Sequence, residues 1–220
     1  MPPAPVIFDL DGTLVDSAPD FLSALNRLFD EIERPRFTLP EVRAMMGYGA
    51  RVLVEHALER SGGLPAGKSL DELTARVIEL FFERHLEFSR LFPGVVTTLT
   101  GLRAEGRGLG LCTNKPHEAT LETLARLEIA RFFDVVVGGG ETMKPDADHL
   151  KAVIDALGPG AGRAVMVGDT ETDVKAARNA RLPVIVVSYG YSRIPAAELG
   201  ADRVIGDITE LPRALGELDE

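Results

Sequence analysis

The sequence predicts an α/β fold: a parallel sheet core with helices on both faces, interrupted by an inserted α-helical domain. Three observations carry that prediction. Short, mostly β-branched apolar runs recur at 5–10, 108–112, 134–138, 164–168 and 183–188, with a weaker one at 202–205. Helix-period stretches at 117–127, 146–157, 172–180 and 208–215 alternate with the later runs. One interval breaks the alternation, because about 100 residues separate the first two runs, far more than one crossover needs.

Apolar runs of this length, bounded by glycine and separated by helices, read as βαβ units. Strands buried on both faces lose the polar alternation of a half-exposed sheet, which suits these runs. The core is therefore expected to be Rossmann-like. The long interval carries three helical stripes: Phe21, Leu22, Leu25, Leu28, Phe29 and Ile32; then Val52, Leu53, His56, Ala57 and Leu58; then Leu73, Val77, Ile78, Leu80, Phe81 and Leu86. It reads as a helical domain over 16–89, with the core drawn from 1–15 and 90–220. Ser17 is expected to cap the first helix, with Pro19 in its first turn. Asp16 either caps or supports the neighbouring carboxylates. Leu91-Phe92-Pro93-Gly94 has the composition of a hinge.

Composition narrows the function classes. The 220 residues are 45% hydrophobic, enough for a sizeable core, and the formal charge is −10. No Lys/Arg-rich run appears, which argues against nucleic acid or an anionic membrane as partner. The single cysteine, Cys112, excludes an intramolecular disulfide and a cysteine-rich zinc site. It is expected to be buried in its apolar run, and its solitude fits a reducing compartment. His56, His85, His117 and His149 have no metal-ligand spacing and are expected on helix surfaces or in packing. Neither a signal-peptide pattern nor an apolar stretch of roughly 18 residues is present. The expectation is a cytoplasmic protein, monomer or homodimer.

Chemistry concentrates at the ends of the predicted strands. The first ends in Asp9-Leu10-Asp11-Gly12-Thr13. Residues two apart in an extended chain share a side, so two carboxylates would emerge together. That is costly unless a cation joins them, as in a divalent metal site or a nucleophile with an acid/base partner. The second run ends in Thr113-Asn114-Lys115, and Gly138-Gly139-Gly140 leads to Lys144-Pro145 after the third. The fourth ends in Gly168-Asp169-Thr170-Glu171-Thr172-Asp173. All carboxyl ends of an open parallel sheet share one edge, so these groups should converge. Two other phosphate-binding patterns fail: Met143 and Pro145 flank Lys144 where a phosphate loop needs Gly and Ser/Thr, and no Gly-x-Gly-x-x-Gly follows the first strand.

These four motifs in order, with a helical insertion after the first, resemble the haloacid dehalogenase superfamily of phosphohydrolases over essentially the whole chain. The resemblance implies that Asp9 is a nucleophile forming an aspartyl-phosphate and that Asp11 is the acid/base. Thr113, with the backbone of Asn114, would bind a phosphoryl oxygen. Lys144 would pair with the phosphoryl group and Asp9, and Pro145 would stiffen its approach. Mg²⁺ would be held by Asp9, the Asp11 carbonyl and Asp169, a set of oxygens that suits it better than Zn²⁺. Asp173, four residues on and on the same face if a helix starts here, would support the metal indirectly; capping that helix is the alternative. Glu171 is expected to point away, and Lys115, which matches no motif residue, to lie at the surface.

Within the superfamily the chain is similar to phosphoglycolate phosphatases. The residues are Phe8 through Ser17, Gly47-Tyr48-Gly49-Ala50, Lys144-Pro145-Asp146, Val167-Gly168-Asp169 with Asp173, and Tyr189-Gly190-Tyr191. Ala147-Asp148-His149 and Thr170-Glu171-Thr172 depart from the usual strings. The insertion would be a cap that closes over the site, with Gly47, Tyr48, Gly49 and Arg51 reading the substrate. Arg51 would take a carboxylate through its planar fork, or else faces solvent. The implied substrate is a small anionic phosphomonoester. A sugar-phosphate phosphatase or phosphomutase of the same superfamily is the alternative, and a non-catalytic binding protein on this fold a further one.

Overall fold

A computed structural model describes residues 3–84 and 86–219. His85 lies outside the described residues. The chain forms two compact units, one of Met1–Val15 with Leu91–Glu220 and one of Asp16–Arg90.

The Asp16–Arg90 unit is helical: α1 Ala18–Glu31, α2 Leu39–Arg43, α3 Ala50–Arg60 and α4 Leu70–Glu83. The apolar stripes explain its packing. Leu25, Leu28 and Phe29 of α1 are buried, as are Leu53, Ala57 and Leu58 of α3 and Leu73, Val77, Leu80 and Phe81 of α4. α4 packs on both α1 and α3, with Phe21 stacked on Phe81 at 4.5 Å between ring centroids. Ser69 and Glu72 start α4 with a reciprocal capping box. Ser17 does not cap α1; its backbone is already helical (φ −96°, ψ −4°), whereas a capping side chain needs an extended residue. Pro19 does sit in the first turn. Asp16 pairs with Arg43. Leu86 falls beyond the end of α4.

The other unit contains the strands β1 Val6–Phe8, β4 Leu109–Pro116, β5 Val135–Gly139, β6 Val165–Gly168, β7 Val184–Val187 and β8 Arg203–Ile205. Short strands β2 Val15–Asp16 and β3 Arg90–Leu91, where the chain passes between the units, pair as a two-stranded sheet. The six longer-range strands form one sheet in the order β5-β4-β1-β6-β7-β8, and every pairing is parallel.

Alternation along the central strands fills both faces. Val6, Phe8, Leu109, Leu111, Val165 and Val167 pack with α5 Val95–Ala104, α6 His117–Arg126 and α9 Leu211–Asp219. Ile7, Cys112, Met166, Val184 and Val186 face the opposite way, against α7 Ala147–Leu157 and α8 Glu171–Asn179. Truncating a fully buried aromatic such as Phe8 to alanine costs about 3–5 kcal/mol in a core of this kind. Two-sided burial is why the strands read as unbroken apolar runs. Among the described residues no helix is long and apolar enough to cross a membrane.

Candidate active site

β1 lies between β4 and β6, and the chain adds strands outward from it in both directions. This reversal of strand order opens a crevice at the carboxyl ends of the strands. Asp9 follows β1 directly, its N–H donating to the Val167 carbonyl at 2.9 Å. Gly12 then turns the chain with φ 89°, and a Cβ there would lie 2.4 Å from Asp169 Oδ2, so only glycine fits. Gly190 has the same restriction from the opposite loop: its Cβ would meet the Asp169 Cβ at 2.3 Å.

Lys144 is the cation beside Asp9. Its Nζ lies 2.8 Å from Asp9 Oδ1 and 2.6 Å from Asp173 Oδ1, and its side chain is 2% exposed. The Asp173 contact is an aligned hydrogen bond, whereas Asp9 Oδ1 is buried with charge proximity but no aligned donor. Asp173 Oδ2 accepts from the amides of Asp169 and Thr170 and from the Thr170 hydroxyl. Asp173 therefore caps α8 and pairs with Lys144 at once. Asp169 precedes α8 instead of lying on a helical face with Asp173; the helix begins only at Glu171, and Asp173 folds back to the strand end. Asp169 accepts from the Thr13 hydroxyl at 2.9 Å and the Tyr191 amide at 2.7 Å. Glu171 pairs with exposed Lys175.

The charges do not balance. Asp9, Asp169 and Asp173 each place an oxygen within 4.8 Å of the others, and one ammonium accompanies them. Three carboxylates less one ammonium leave two negative charges when all are ionised. Burial pushes the Asp9 carboxyl up to about 6, with Asp173 adding and Lys144 opposing. Burial also drives Asp169 well above the usual carboxylate range; Asp173 and Asp9 add to it, and the Tyr191 amide and Thr13 hydroxyl counter it. Burial disfavours the Lys144 ammonium, but Asp173 and Asp9 outweigh that and raise its pKa. An all-oxygen donor set, an excess of negative charge and a buried carboxylate oxygen lacking an aligned donor together fit a hard divalent cation.

Asp11 has a different partner. Lys115 Nζ lies 3.3 and 3.4 Å from its two carboxylate oxygens, and the Lys115 side chain is 5% exposed. The surface assignment of Lys115 is thus corrected: β4 continues to Pro116, so Lys115 projects inward on the same side as Thr113. The Asp9 and Asp11 carboxylates each face a lysine of their own.

Thr113 is buried, its hydroxyl accepting from the Lys115 amide at 3.3 Å. The Asn114 side chain bonds to the backbone of Lys144, donating to its carbonyl at 2.9 Å and accepting from its N–H at 2.7 Å. His149 is buried, with Nε2 3.0 Å from the Thr113 carbonyl and Nδ1 3.2 Å from the Thr142 hydroxyl. His56 is half-buried on α3, and exposed His117 accepts from the Gly138 amide. Gly47, Tyr48, Gly49 and Arg51 belong to the Asp16–Arg90 unit, where Gly49 precedes α3 and Arg51 pairs with Asp71 at 3.2 Å, both exposed.

Sequence reasoning missed Thr13, the Tyr191 amide, Lys115, and the side chains of Asn114 and His149. The inward lysine had a signal, since it lies two residues after Thr113 on an extended chain. His149 lies beside Leu150 and four residues before Val153 on the buried face of α7, which marks it as interior. The partners of Asn114 and Thr13 lie in distant motifs, and nothing local announces them.

A parallel core with a helical insertion after β1, and acidic and basic groups meeting at its switch point, is an architecture found among haloacid dehalogenase-like hydrolases. The sequence pattern of haloacid dehalogenase-like hydrolases matches residues 6–187, and the chain belongs to that family. Among its relatives, a phosphoglycolate phosphatase of Rhodospirillum rubrum is 41% identical, over 97% of this chain and 91% of its own. One of Caulobacter vibrioides is 38% identical, over 96% and 90%. The crystal structure of a predicted phosphoglycolate phosphatase from Haemophilus somnus 129pt superimposes with a TM-score of 0.87 at 27% identity, covering 97% of this chain and 98% of that one.

Proposed function

We propose that the protein is a Mg²⁺-dependent phosphatase that hydrolyses 2-phosphoglycolate to glycolate and phosphate through an aspartyl-phosphate on Asp9. The observation that carries this reading is the group of buried Asp169, Asp173 and Lys144 with partly buried Asp9 at the switch point of the sheet. The relatives named phosphoglycolate phosphatase support the substrate, since they align with more than nine-tenths of the chain.

Asp9 attacks phosphorus as a carboxylate, and the bond from phosphorus to the substrate oxygen breaks. Asp11 gives its proton to that leaving oxygen and then takes one from the water that attacks the acyl phosphate. Phosphate leaves and Asp9 is restored. Lys144 steadies the charge on the phosphoryl oxygens, as Thr113 and the Asn114 N–H do by hydrogen bonding. Mg²⁺, held by the Asp9 and Asp169 carboxylates and the Asp11 carbonyl, would supply further positive charge to those oxygens; Asp173 supports it through Lys144 and the Asp169 amide.

The helical Asp16–Arg90 unit serves as the cap, with core boundaries near 1–15 and 90–220. Gly47, Tyr48 and Gly49 form its recognition loop, and Arg51 receives the substrate carboxylate. The Arg51–Asp71 pair is exposed, and such pairs are worth only about 0–1 kcal/mol, so it presents little obstacle to an incoming carboxylate. The expected setting is the cytoplasm, with a small anionic substrate and no nucleic acid or membrane partner.

Phosphate release should be measured over a panel of 2-phosphoglycolate, sugar phosphates, nucleotides and pyrophosphate, with Mg²⁺ and with a chelator. The expected result is the highest kcat/KM for 2-phosphoglycolate and no release in chelator. A panel led by sugar phosphates rejects the substrate, and isomerised sugar phosphate without released phosphate indicates a mutase.

A further inference from the structure

We propose that His149 is a positioning residue: its imidazole fixes the Thr113–Asn114 peptide and the Thr142 end of the lysine loop, so that the Asn114 N–H and Lys144 meet the same phosphoryl group. The inference rests on the phosphatase reading above and adds a residue to it.

His149 is 1% exposed and sits on α7 next to Leu150, which packs in the core with Val153. Nε2 lies 3.0 Å from the Thr113 carbonyl, which can only accept, so Nε2 carries the proton. Nδ1 then offers a lone pair to the Thr142 hydroxyl 3.2 Å away. One neutral tautomer satisfies both partners. Burial lowers the imidazole pKa, in keeping with a neutral ring.

The consequence follows from peptide geometry. The Thr113 carbonyl and the Asn114 N–H belong to one planar trans unit and point in opposite directions. Anchoring the carbonyl on His149 aims the N–H away from α7. The Asn114 side chain meanwhile holds both backbone groups of Lys144. The lysine loop is thus tied to the end of β4 twice, once through Asn114 and once through His149 and Thr142. A side chain retained only for packing would need neither polar contact, and a methionine would fill the space without burying polar atoms.

The test compares His149→Met, His149→Gln and Thr142→Val in the full chain. The readouts are kcat and KM for phosphate release from 2-phosphoglycolate, melting temperature, and the Asn114 amide NMR signal. Misplacing a binding group costs up to about 10²-fold, so His149→Met should lower kcat at least about tenfold with a smaller change in KM. His149→Gln, which can keep a donor on the Thr113 carbonyl, should recover most of that loss at a similar melting temperature. Thr142→Val should show a smaller loss that does not add to His149→Met. The Asn114 amide should shift in His149→Met, and the wild-type ring should be protonated at Nε2. Equal activity of His149→Met and wild type, or a melting-temperature loss with kcat and the Asn114 signal unchanged, overturns the proposal. If the wild type releases no phosphate, the phosphatase reading fails by itself, and an unshifted Asn114 amide still refutes the positioning role.

Discussion

The side-chain amide of Asn114 grips the backbone of Lys144, its nitrogen donating to the Lys144 carbonyl at 2.9 Å and its oxygen accepting from the Lys144 N–H at 2.7 Å. A lysine has a long, flexible stem, so its ammonium is placed well only if its Cα is fixed. Here a residue 30 positions away supplies that fixed point, and Nζ arrives 2.8 Å from Asp9.

Asn114→Ala should therefore lower kcat by about ten- to a hundredfold, the range expected for a displaced catalytic group. Asn114→Asp should do no better, because its carboxylate would face the Lys144 carbonyl without a donor. Steady-state kinetics beside a thermal melt decides it; wild-type kcat in Asn114→Ala would show that the loop is held without this amide.

Replacing the lysine has two effects with different pH dependence. Lys144→Met should reduce kcat by roughly 10²–10³-fold, the usual loss for an electrostatic stabiliser. It also leaves Asp9 and Asp173 buried without their counter-charge, which typically costs about 3–5 kcal/mol. That cost should shrink in mild acid, where Asp9 takes up a proton. Chelated wild type and variant, melted across a pH series, should converge as pH falls. A pH-independent gap would mean that the pair does not govern stability.

Cation binding should depend on pH in a defined direction. Burial pushes the Asp9 carboxyl from its ordinary 3.8 up to about 6 in the folded protein. A carboxyl raised by folding favours the folded state at low pH, and that contribution is lost as pH climbs through this window. A divalent cation must displace the Asp9 proton below about pH 6, and burial holds the Asp169 proton upward as well, so binding strengthens as pH rises. The melting-temperature rise produced by Mg²⁺ should be larger at about pH 7.5 than at about pH 5. An equal or reversed rise would contradict cation binding at Asp9.

Lys115 and Asp11 give a fourth prediction. Lys115→Met frees the Asp11 carboxylate from the ammonium 3.3 Å away. The loss in kcat should be about tenfold or more, yet smaller than the roughly 10²–10⁴-fold expected for removing an acid/base outright, as in Asp11→Ala. Lys115→Arg should restore part of it. No effect of Lys115→Met on kcat would make the pair purely structural.

Much of the sheet was legible because its central strands are buried on two faces, leaving apolar runs such as Val184–Val187 with no polar interruption. The helical insertion was legible from stripes such as Leu73, Val77 and Phe81. α5 was not, although Val95, Leu99 and Leu102 are buried one turn apart: Thr97, Thr98, Thr100 and Gly101 blur its pattern. The five-residue α2 is too short to show a period. Within the site, residue types at strand ends announced Asp9, Lys144 and Asp169. The supports were harder to see. Lysine is exposed by default, which hid Lys115, and the clamp from Asn114 to Lys144 joins motifs that meet only once β4 and the loop after β5 are placed together.

Asp9→Asn tests the central claim most directly. The amide keeps the size of the side chain and removes the nucleophile. With Mg²⁺ and 2-phosphoglycolate, phosphate release by the folded variant should fall to background, and no acid-stable phosphoryl adduct should form. Turnover near that of the wild type would contradict the covalent route and the role of Asp9 with it.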